Sequence, residues 1–574
     1  MRYSNRIEIN CSGKKLRTRN PPDKKHRFCV DDMKQEFGEN AGKLPADRFC
    51  RHRIFQLRKN VIPSAMTHPN ILWICTDQQR SDSLGCSGNE TVNTPNLDRL
   101  AASGTRFARH HTPMQICSPS RATLFTGLYP RNHGLITNGR ALDPSIPTLT
   151  ESLAKNGYST HSVGKQHLQP ILAPAELDMP DSRAFWKNER SKQWTGPYYG
   201  FQTLDLLLGE SDTAAIAGHY ANWLKENHAE AVKLLQVDAA AARPPEDLDE
   251  IWRSAIPAEL HYNSWITRQA VHFIEQAESR HPFFLFVSYP DPHHPFAPPA
   301  EYADRYPYSE MPLPRADPGE LDRLPDYYSN LFPKGQGFRK LYWAATDDEA
   351  GSMITTEEIS DRSMQQAIAH TYGMIEMIDE GVGKIMRALE GQGRADNTIV
   401  VFTSDHGELL GTHGLLHKGP PPYRQLTEIS LIMSGLGIGA GQTTHSLSSH
   451  LDLVPTMFDL TGIPHDPENT DGNSLAPLLG GESSGVREYL FGEYHPTARN
   501  DVYNQTVQTL DWRLTIYPNQ SQWGELFHLK SDPDEHRNLY HESAFRNTRC
   551  ELSELLAKEF PPNMDVGGEM LCKW

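Results

Sequence analysis

ILWICTDQ, residues 71–78, is a run of five apolar side chains that ends in a threonine, an acid and an amide. A strand with one face in water alternates apolar and polar residues, whereas a strand covered on both faces is apolar throughout. The run therefore predicts a strand inside a sheet that has helices on both sides. Asp77 and Gln78 follow it directly and are expected at its carboxyl end.

Three further runs have the same apolar character, and segments with helical periodicity lie around them. Strands interleaved with helices predict an α/β fold, built on a large, mainly parallel sheet flanked by helices. Residues 489–540 predict a few antiparallel strands, which would form a smaller C-terminal α+β subdomain. The predicted strands are FFLFV (283–287), NTIVVF (397–402) and ISLIM (429–433), and the predicted helices cover 94–104, 148–157, 364–393 and 450–464.

The chain divides into three parts by composition and pattern. Residues 1–65 carry 16 Lys and Arg against 7 Asp and Glu and show no hydrophobic periodicity. They predict a basic, disordered leader; the alternative, that the true start is Met66, stays open because the first strand follows closely. Residues 66–440 form the predicted large domain, and residues 441–574 form the predicted C-terminal subdomain.

Charge and cysteine usage exclude several classes of protein. The formal net charge is -16, and the residues after the basic leader carry about -25. An acidic body argues against a nucleic-acid partner, because phosphate backbones bind basic surfaces. The eight cysteines include no C-x-x-C pair, so neither a zinc ribbon nor a thioredoxin-like site is predicted. The apolar runs are too short to cross a bilayer, and no signal peptide is recognisable; we expect no membrane partner and a cytoplasmic location.

Two acidic residues follow the two most apolar strands. Asp77 and Gln78 come after the first, and Asp405 and His406 come after NTIVVFTS. Ligands of open parallel sheets lie outside the carboxyl ends of the strands. Oxygen-rich sites of this kind suit hard divalent cations such as calcium or magnesium. Either acid alone is as readily an ordinary turn residue, and the pair together favours a metal site.

Cys117 and Arg121 stand four residues apart in CSPSRATLFTG, where Pro119 predicts a helix that begins at or just after the cysteine. A helix N-terminus presents free N–H groups and partial positive charge, which attract anions. The spacing places the arginine on the same helix face as the cysteine. A buried small side chain at a helix start is the alternative for a lone cysteine.

Four further residues offer proton transfer or anion binding. Lys165 and His167, in GKQH, project to one side if the segment from Tyr158 is extended. A cation beside a titratable imidazole suits oxyanion stabilisation and proton transfer. His293 lies in the loop after FFLFVSYPD, and Lys418 lies thirteen residues after Asp405. Each of these is by itself compatible with an ordinary surface role.

The string CSPSRATLFTGLYP (117–130) resembles the signature of the type I sulfatases, a family within the alkaline-phosphatase superfamily. In that family a C-x-P-S-R motif precedes a helix that contains Thr-Gly. The order of the other motifs is also similar, over about residues 66–545. The matching segments are NILWICTDQQR (70–80), GYSTHSVGKQHL (157–168), PFFLFVSYPDPHHPF (282–296), TSDHGELLG (403–411), HLDLVPT (450–456) and ELFHLKSDPDEHRNL (525–539).

The resemblance implies one divalent cation and one modified residue. Asp77, Asp405 and His406 would bind the cation together with formylglycine, which a formylglycine-generating enzyme would make from Cys117. We expect calcium, with magnesium or manganese as alternatives. Gln78 belongs to the same predicted ligand set, at the position where many members have a second Asp. His406 stands where other members have Asn.

The resemblance also implies a mechanism. The metal and Arg121 would lower the pKa of one hydroxyl of the hydrated aldehyde, which attacks sulfur in line. Lys165 and Lys418 would bind the sulfate oxygens, and His293 would protonate the leaving alcohol. His167 would take a proton from the second hydroxyl and so expel sulfate.

Two other functions stay open at this point. Gln78 and His406 favour a branch that hydrolyses phosphonate monoesters or phosphodiesters with the same residues. A protein whose Cys117 is never modified would bind anions without turnover. Among sulfate esters we favour a carbohydrate sulfate, because AFWKNERSKQWTGPYYGF (184–201) could stack on sugars. Plain packing of these aromatic residues is the alternative, and small alkyl or aryl sulfates are also possible substrates.

Overall fold

The computed structural model of the protein describes six ranges of the chain. The predicted leader, residues 1–65, and Met66 lie outside the described residues. The described ranges are 68–278, 280–317, 319–321, 353–496, 501–563 and 566–572.

The strands are numbered in chain order. They are Asn70–Thr76 (β1), Gly104–His111 (β2), Ser159–Gly164 (β3), Thr203–Leu206 (β4), Phe283–Ser288 (β5), Met353–Thr355 (β6), Thr398–Ser404 (β7), Leu415–His417 (β8), Glu428–Ser434 (β9), Gln442–Thr444 (β10), Ser448–Ser449 (β11), Leu490–Tyr494 (β12), Asn504–Gln508 (β13), Trp512–Ile516 (β14) and Gly524–His528 (β15). The four strands predicted from apolar runs are confirmed as β1, β5, β7 and β9.

The α-helices are numbered in the same way. They are Pro95–Ala102 (α1), Cys117–Thr126 (α2), Pro130–His133 (α3), Leu149–Lys155 (α4), Gly218–Asn227 (α5), Tyr262–Gln276 (α6), Ala300–Ala303 (α7), Asp361–Gly391 (α8), Arg424–Thr427 (α9), Leu453–Thr461 (α10), Ala476–Leu479 (α11) and Arg546–Glu559 (α12). The predicted helices are confirmed as α1, α4, α8 and α10. Helix α4 starts where expected because the Thr148 hydroxyl accepts a hydrogen bond from the N–H of Glu151 at 3.1 Å.

The described residues form one nine-stranded sheet in the order β10-β2-β9-β7-β1-β5-β3-β4, with β11 also paired to β2. Its pairs are parallel except those that β9 makes with β2 and β7. The sheet is therefore mainly parallel, as predicted. Strands β1, β5 and β7, which carry the predicted site residues, are its centre.

Both faces of β1 are packed, as its continuous apolar run predicts. Leu72 and Ile74 belong to a core cluster that includes residues of α6 and α8. Ile71 and Trp73, on the opposite face, belong to a second cluster that includes residues of α2 and α10. Because adjacent residues of a strand point to opposite faces, a strand buried on both sides needs apolar residues at every position.

The C-terminal strands β12 to β15 form an antiparallel sheet in sequence order, which confirms the predicted smaller subdomain. Strands β10 and β11, beyond the predicted boundary at 440/441, pair with β2 of the large sheet. The antiparallel sheet itself begins at Leu490. The described helices include none that is long and apolar enough to span a bilayer.

The segment around Lys165 differs from its prediction. Strand β3 ends at Gly164, and both Gly164 and His167 have positive φ, 99° and 59°. A Cβ at position 164 would lie 1.9 Å from the carbonyl oxygen of Ser288 on β5, so glycine allows the strands to approach. Lys165 and His167 are therefore positioned by a turn and not by the alternation of a strand.

Candidate metal and anion site

Asp77 and Asp405 lie side by side at the carboxyl edge of the large sheet. Their strands are neighbours, and the register aligns Thr76 of β1 with Ser404 of β7. The N–H of Asp405 donates to the carbonyl of Thr76 at 3.2 Å. Two carboxylates from strands far apart in sequence therefore meet because the strands pair in parallel. Both side chains are fully buried.

Cys117 is the first residue of α2, as predicted. The preceding Ile116 is extended and makes no capping bond of its own, and the side chain of Asn138 accepts a hydrogen bond from the N–H of Ser118 at 3.1 Å in the first turn. The sulfur lies 3.7 Å from Asp77 Oδ1 and 3.2 Å from His406 Nε2. Burial raises the pKa of the Cys117 thiol to about 11. The thiol therefore stays protonated near neutral pH and is a poor nucleophile as it stands.

Arg121 donates hydrogen bonds to both carboxylates. Its Nη2 donates to Asp77 Oδ2 at 3.1 Å, and its Nε donates to Asp405 Oδ2 at 2.9 Å. Its Nη1 donates to the carbonyl of Lys165 and to the hydroxyl of Ser288. The guanidinium is fully buried, so it orients both acids and does not itself face solvent.

Two lysines approach the same centre from different loops. Lys165 Nζ is 2.7 Å from Asp77 Oδ2. Burial alone would raise the pKa of Asp77, but Lys165 and Arg121 outweigh it and hold that pKa well below its usual value. Lys418 Nζ lies 2.9 Å from the Cys117 sulfur and 3.1 Å from His406 Nε2. Both predicted lysines therefore reach the cysteine or its neighbouring acid.

Asp77, Cys117, Asp405 and His406 each contribute one ligand atom to a set whose members lie within 4.8 Å of one another. Burial lowers the pKa of His406 to about 4, so the imidazole is neutral, the form that binds metals. Two carboxylates, one imidazole and one further atom from position 117 suit a divalent cation. The residues present thus fit a divalent cation, and the identity of the ion stays a prediction.

Gln78 lies beside this set. Its side-chain oxygen accepts a hydrogen bond from Lys418 Nζ at 2.8 Å, and its backbone N–H donates to Asp405 Oδ1 at 3.1 Å. The side-chain amide donates to Glu408 and lies 2.9 Å from His294 Nδ1. In this arrangement Gln78 positions Lys418 and Asp405, and its role as a metal ligand stays a prediction.

The two predicted catalytic histidines are both buried and neutral. Burial, followed by the charge of Lys165, lowers the pKa of His167 well below its usual value. Burial and Lys418 do the same to His293. His293 Nε2 is 2.9 Å from Lys418 Nζ, and its Nδ1 lies 2.5 Å from the carbonyl of His294. The carbonyl requires the proton on Nδ1, which leaves Nε2 as the atom that faces the site.

Two buried acids that support these histidines were not predicted. Asp181 Oδ2 accepts from the N–H groups of Leu168 and Gln169, so it holds the turn after His167. Asp291 precedes His293 by two residues and accepts from Tyr262 and Asn263 on α6. Asp291 was visible in the segment PDPHHP as an acid beside a histidine. Asp181 lies in an irregular insertion, where nothing in the local sequence marks it.

The aromatic segment 184–201 is largely packing. Phe185 and Trp186 are buried and form a small cluster with Leu206 and Leu208. The Trp186 ring contacts His219 edge-on, with 4.7 Å between centroids. The packing alternative is therefore correct for these two side chains, which leaves them unable to stack on a sugar.

Comparisons with known proteins identify the family to which the chain is similar. The family model described as Sulfatase matches residues 69–463, and the model described as N-sulphoglucosamine sulphohydrolase, C-terminal, matches residues 423–560. An arylsulfatase of Clostridium perfringens is 28% identical over 510 residues, which are 86% of this chain and 94% of that protein. An N-acetylglucosamine-6-O-sulfatase of Bacteroides thetaiotaomicron is 23% identical over 538 residues, 85% of each chain.

A solved structure shows the same fold. The phosphonate monoester hydrolase of Agrobacterium radiobacter superposes with a TM-score of 0.68 and 24% identity, covering 85% of this chain and 95% of that one. The large mixed sheet and the C-terminal antiparallel sheet therefore form an architecture found in known hydrolases.

Proposed function

Because this chain belongs to the sulfatase family, we propose that it hydrolyses a sulfate ester through formylglycine made from Cys117 and one divalent cation, calcium. The observation that carries the proposal is the position of Cys117. It begins α2, lies within the four-ligand set, and contacts Lys418 at 2.9 Å. A nucleophile at this point would be surrounded by the cationic groups that a sulfate needs.

The two added groups supply chemistry that the unmodified chain lacks. When hydrated, formylglycine would provide an oxygen nucleophile and a second hydroxyl from which sulfate can be expelled. When bound by Asp77, Asp405 and His406, the cation would lower the pKa of that nucleophile. Arg121 holds both carboxylates in place, so it orients this set through them.

The lysines bind the anionic end of the substrate in this proposal. Lys418 contacts the Cys117 sulfur, and Lys165 contacts Asp77, whose other carboxylate oxygen lies 3.7 Å from that sulfur. Together with Arg121 the two lysines bring three basic side chains to the acids Asp77, Asp405 and Glu210, the last of which lies 3.6 Å from Lys165 Nζ. The lysines and the bound cation would favour a small anion and the charge that develops on its oxygens in the transition state. Removing either lysine would weaken this stabilisation.

The histidines move protons in this proposal. His293 Nε2 lies 2.9 Å from Lys418 Nζ, so it would take a proton from Lys418 and pass it to the leaving alcohol, while the carbonyl of His294 holds the Nδ1–H. His167 is neutral and so can accept a proton from the second hydroxyl. Asp181 keeps the turn that carries His167 in place.

The first test of the proposal is the mass of the peptide that contains Cys117. The full chain is expressed with and without a formylglycine-generating enzyme, digested, and treated with a hydrazine reagent that traps aldehydes. We expect the aldehyde only in the coexpressed sample and only at position 117. Cys86, a half-buried cysteine in the described chain, is the internal control and must remain a thiol.

An unmodified Cys117 in the coexpressed sample would contradict the proposal. Sulfate binding without turnover would then support the alternative of an anion-binding protein. Such an outcome would leave the fold and the family unchanged, because neither depends on the modification.

A second candidate activity is the hydrolysis of phosphonate monoesters or phosphodiesters. It is favoured by the fold shared with a phosphonate monoester hydrolase, and by Gln78 and His406 in place of Asp and Asn. Matched aryl sulfate and aryl phosphonate substrates with the same leaving group separate the two. We expect the larger kcat/KM for the sulfate. A larger kcat/KM for the phosphonate would reverse the assignment without changing the nucleophile.

The natural alcohol of the substrate is proposed to be a carbohydrate. With Phe185 and Trp186 buried, the support comes from the similarity to an N-acetylglucosamine-6-O-sulfatase. A panel of sulfated monosaccharides and small aryl or alkyl sulfates, compared by kcat/KM, would test this preference.

A further inference from the structure

A carboxylate and two imidazoles converge outside the four-ligand set. Glu320 Oε1 lies 2.5 Å from His413 Nδ1, and Glu320 Oε2 lies 3.2 Å from His536 Nδ1. One ligand atom of each residue falls within 4.8 Å of those of the other two. His413 belongs to the turn between β7 and β8, and His536 follows β15. Three distant segments of the chain therefore meet at one point.

The three side chains are buried and held in place. Their side chains are 8%, 1% and 5% exposed for Glu320, His413 and His536. The N–H of Asp317 donates to Glu320 Oε2 at 3.3 Å. The ring of Tyr423 stacks on His413, with 3.8 Å between centroids and 12° between planes. A rigid, buried arrangement of this kind is what a metal site requires of its ligands.

The hydrogen bonds of the two rings do not balance. Both rings turn Nδ1 inward to Glu320, whereas His413 Nε2 and His536 Nε2 are buried without a hydrogen-bond partner among the described residues. An unpartnered buried polar atom costs more than a neutral hydrogen bond returns. Coordination of a cation by both Nδ1 atoms would return more free energy than the two inward hydrogen bonds and so would offset the cost of the two buried Nε2 atoms.

A second set of the same composition behaves differently. Glu250, His294 and His417 also lie together, but the amide of Gln78 faces His294 Nδ1 at 2.9 Å. The orientation of that amide is determined by Lys418, which donates to the oxygen. His294 Nδ1 must then accept a hydrogen bond, so its proton is on Nε2. A protonated nitrogen is no metal ligand, and this set is better explained as hydrogen-bonded packing behind Lys418.

We propose that Glu320, His413 and His536 bind a zinc ion. Two imidazoles and one carboxylate are a donor set that zinc takes in proteins, whereas calcium takes oxygen ligands. Water would complete the tetrahedron. The ion would fasten the turn after β7 to the segment after β15. That turn precedes Lys418 by five residues, so the site would also support the loop that carries this lysine.

The test measures zinc binding to the full chain. Metal-stripped protein is dialysed against zinc, and the bound zinc is measured by inductively coupled plasma mass spectrometry. We expect one zinc per wild-type chain at this site, and an affinity at least about 10- to 100-fold weaker in Glu320→Gln and His536→Gln. His541→Gln, at an exposed histidine five residues along, is the matched control and should bind as the wild type does.

A further variant separates this site from the predicted catalytic metal. Asp405→Asn removes a ligand of the four-ligand set and should leave the zinc at Glu320 in place. Cobalt in the wild type should give the strong visible absorption of a tetrahedral site, which Glu320→Gln removes. Glu320→Gln keeps the shape of the side chain and can accept one of the two hydrogen bonds through its amide oxygen and donate the other to an unprotonated imidazole nitrogen. Circular dichroism should therefore show a folded chain; His536→Gln provides the same reading if it does not.

Two outcomes would overturn the proposal. One is zinc binding of wild-type strength in both Glu320→Gln and His536→Gln. The other is a wild-type chain that binds no zinc, or that loses all of it in Asp405→Asn. Neither outcome affects the proposed hydrolysis, which the aldehyde at position 117 tests separately.

Discussion

Replacing Cys117 with serine should lower the steady-state kcat for a sulfate ester by about 10³-fold or more, the range seen when a nucleophile is removed. Serine has one hydroxyl, so it can attack sulfur once, but it has no second hydroxyl from which to expel sulfate. We therefore expect a single turnover that ends with the serine sulfated. Steady-state kinetics and the mass of the peptide that spans residue 117 measure both effects.

The control for this prediction is Cys86→Ser. Cys86 is half-buried near α1 and has no contact with the four-ligand set, so its loss should leave kcat unchanged. Full turnover by Cys117→Ser would refute the elimination step. Equal losses in both variants would indicate a general effect of removing cysteine.

Replacing Arg121 with methionine should lower the free energy of unfolding by about 3–5 kcal/mol, the cost of breaking a buried ion pair from one side. Arg121 is fully buried and pairs with both Asp77 and Asp405. Without it, Asp77 keeps Lys165, at 2.7 Å, whereas Asp405 loses its ion pair with the guanidinium. Urea unfolding followed by circular dichroism measures the change, and turnover should be lost as well.

Two further variants test whether the burial and the geometry of Arg121 cause the loss of stability. Arg190→Met removes an exposed arginine that pairs with Asp178, and exposed pairs contribute little, so the unfolding midpoint should barely move. Arg121→Lys keeps the charge but lacks the planar fork of donors that reaches both carboxylates, the Lys165 carbonyl and the Ser288 hydroxyl, and should fall between methionine and wild type. A stable Arg121→Met would mean that the two acids are protonated or paired in another way.

The fold class, and the acidic residues that follow its buried strands, could be predicted from local sequence patterns. Continuous apolar runs predict buried strands wherever they occur, and ILWIC and NTIVVF are confirmed as β1 and β7. An acid directly after such a strand must lie at the carboxyl edge of the sheet, because it is the next residue along the chain after the strand ends. Cys117 was placed for a similar reason, since Pro119 favours the first turn of a helix.

Other features depend on contacts between distant segments. The turn that places His167 exists because Gly164 lets β3 approach Ser288 and because Asp181 binds the next two N–H groups. The segment from Tyr158 is extended only as far as Gly164, and the turn that follows could not be predicted, since no periodicity records a tertiary hydrogen bond. Lys418 was identified by the motif order, but only packing shows that it reaches Cys117.

The amino-acid sequence by itself determined four buried strands of the large sheet, the helix that begins at Cys117, and the identity of the acids and bases at the sheet edge. These depend on interactions between residues near in the chain, whose signals are periodicity and capping. Only the tertiary structure decided that Gln78 holds Lys418, that Phe185 and Trp186 are packing, and that Glu320 meets His413 and His536. Such contacts join residues that are far apart in the chain, so they depend on how whole helices and strands pack against one another. No local sequence pattern records them.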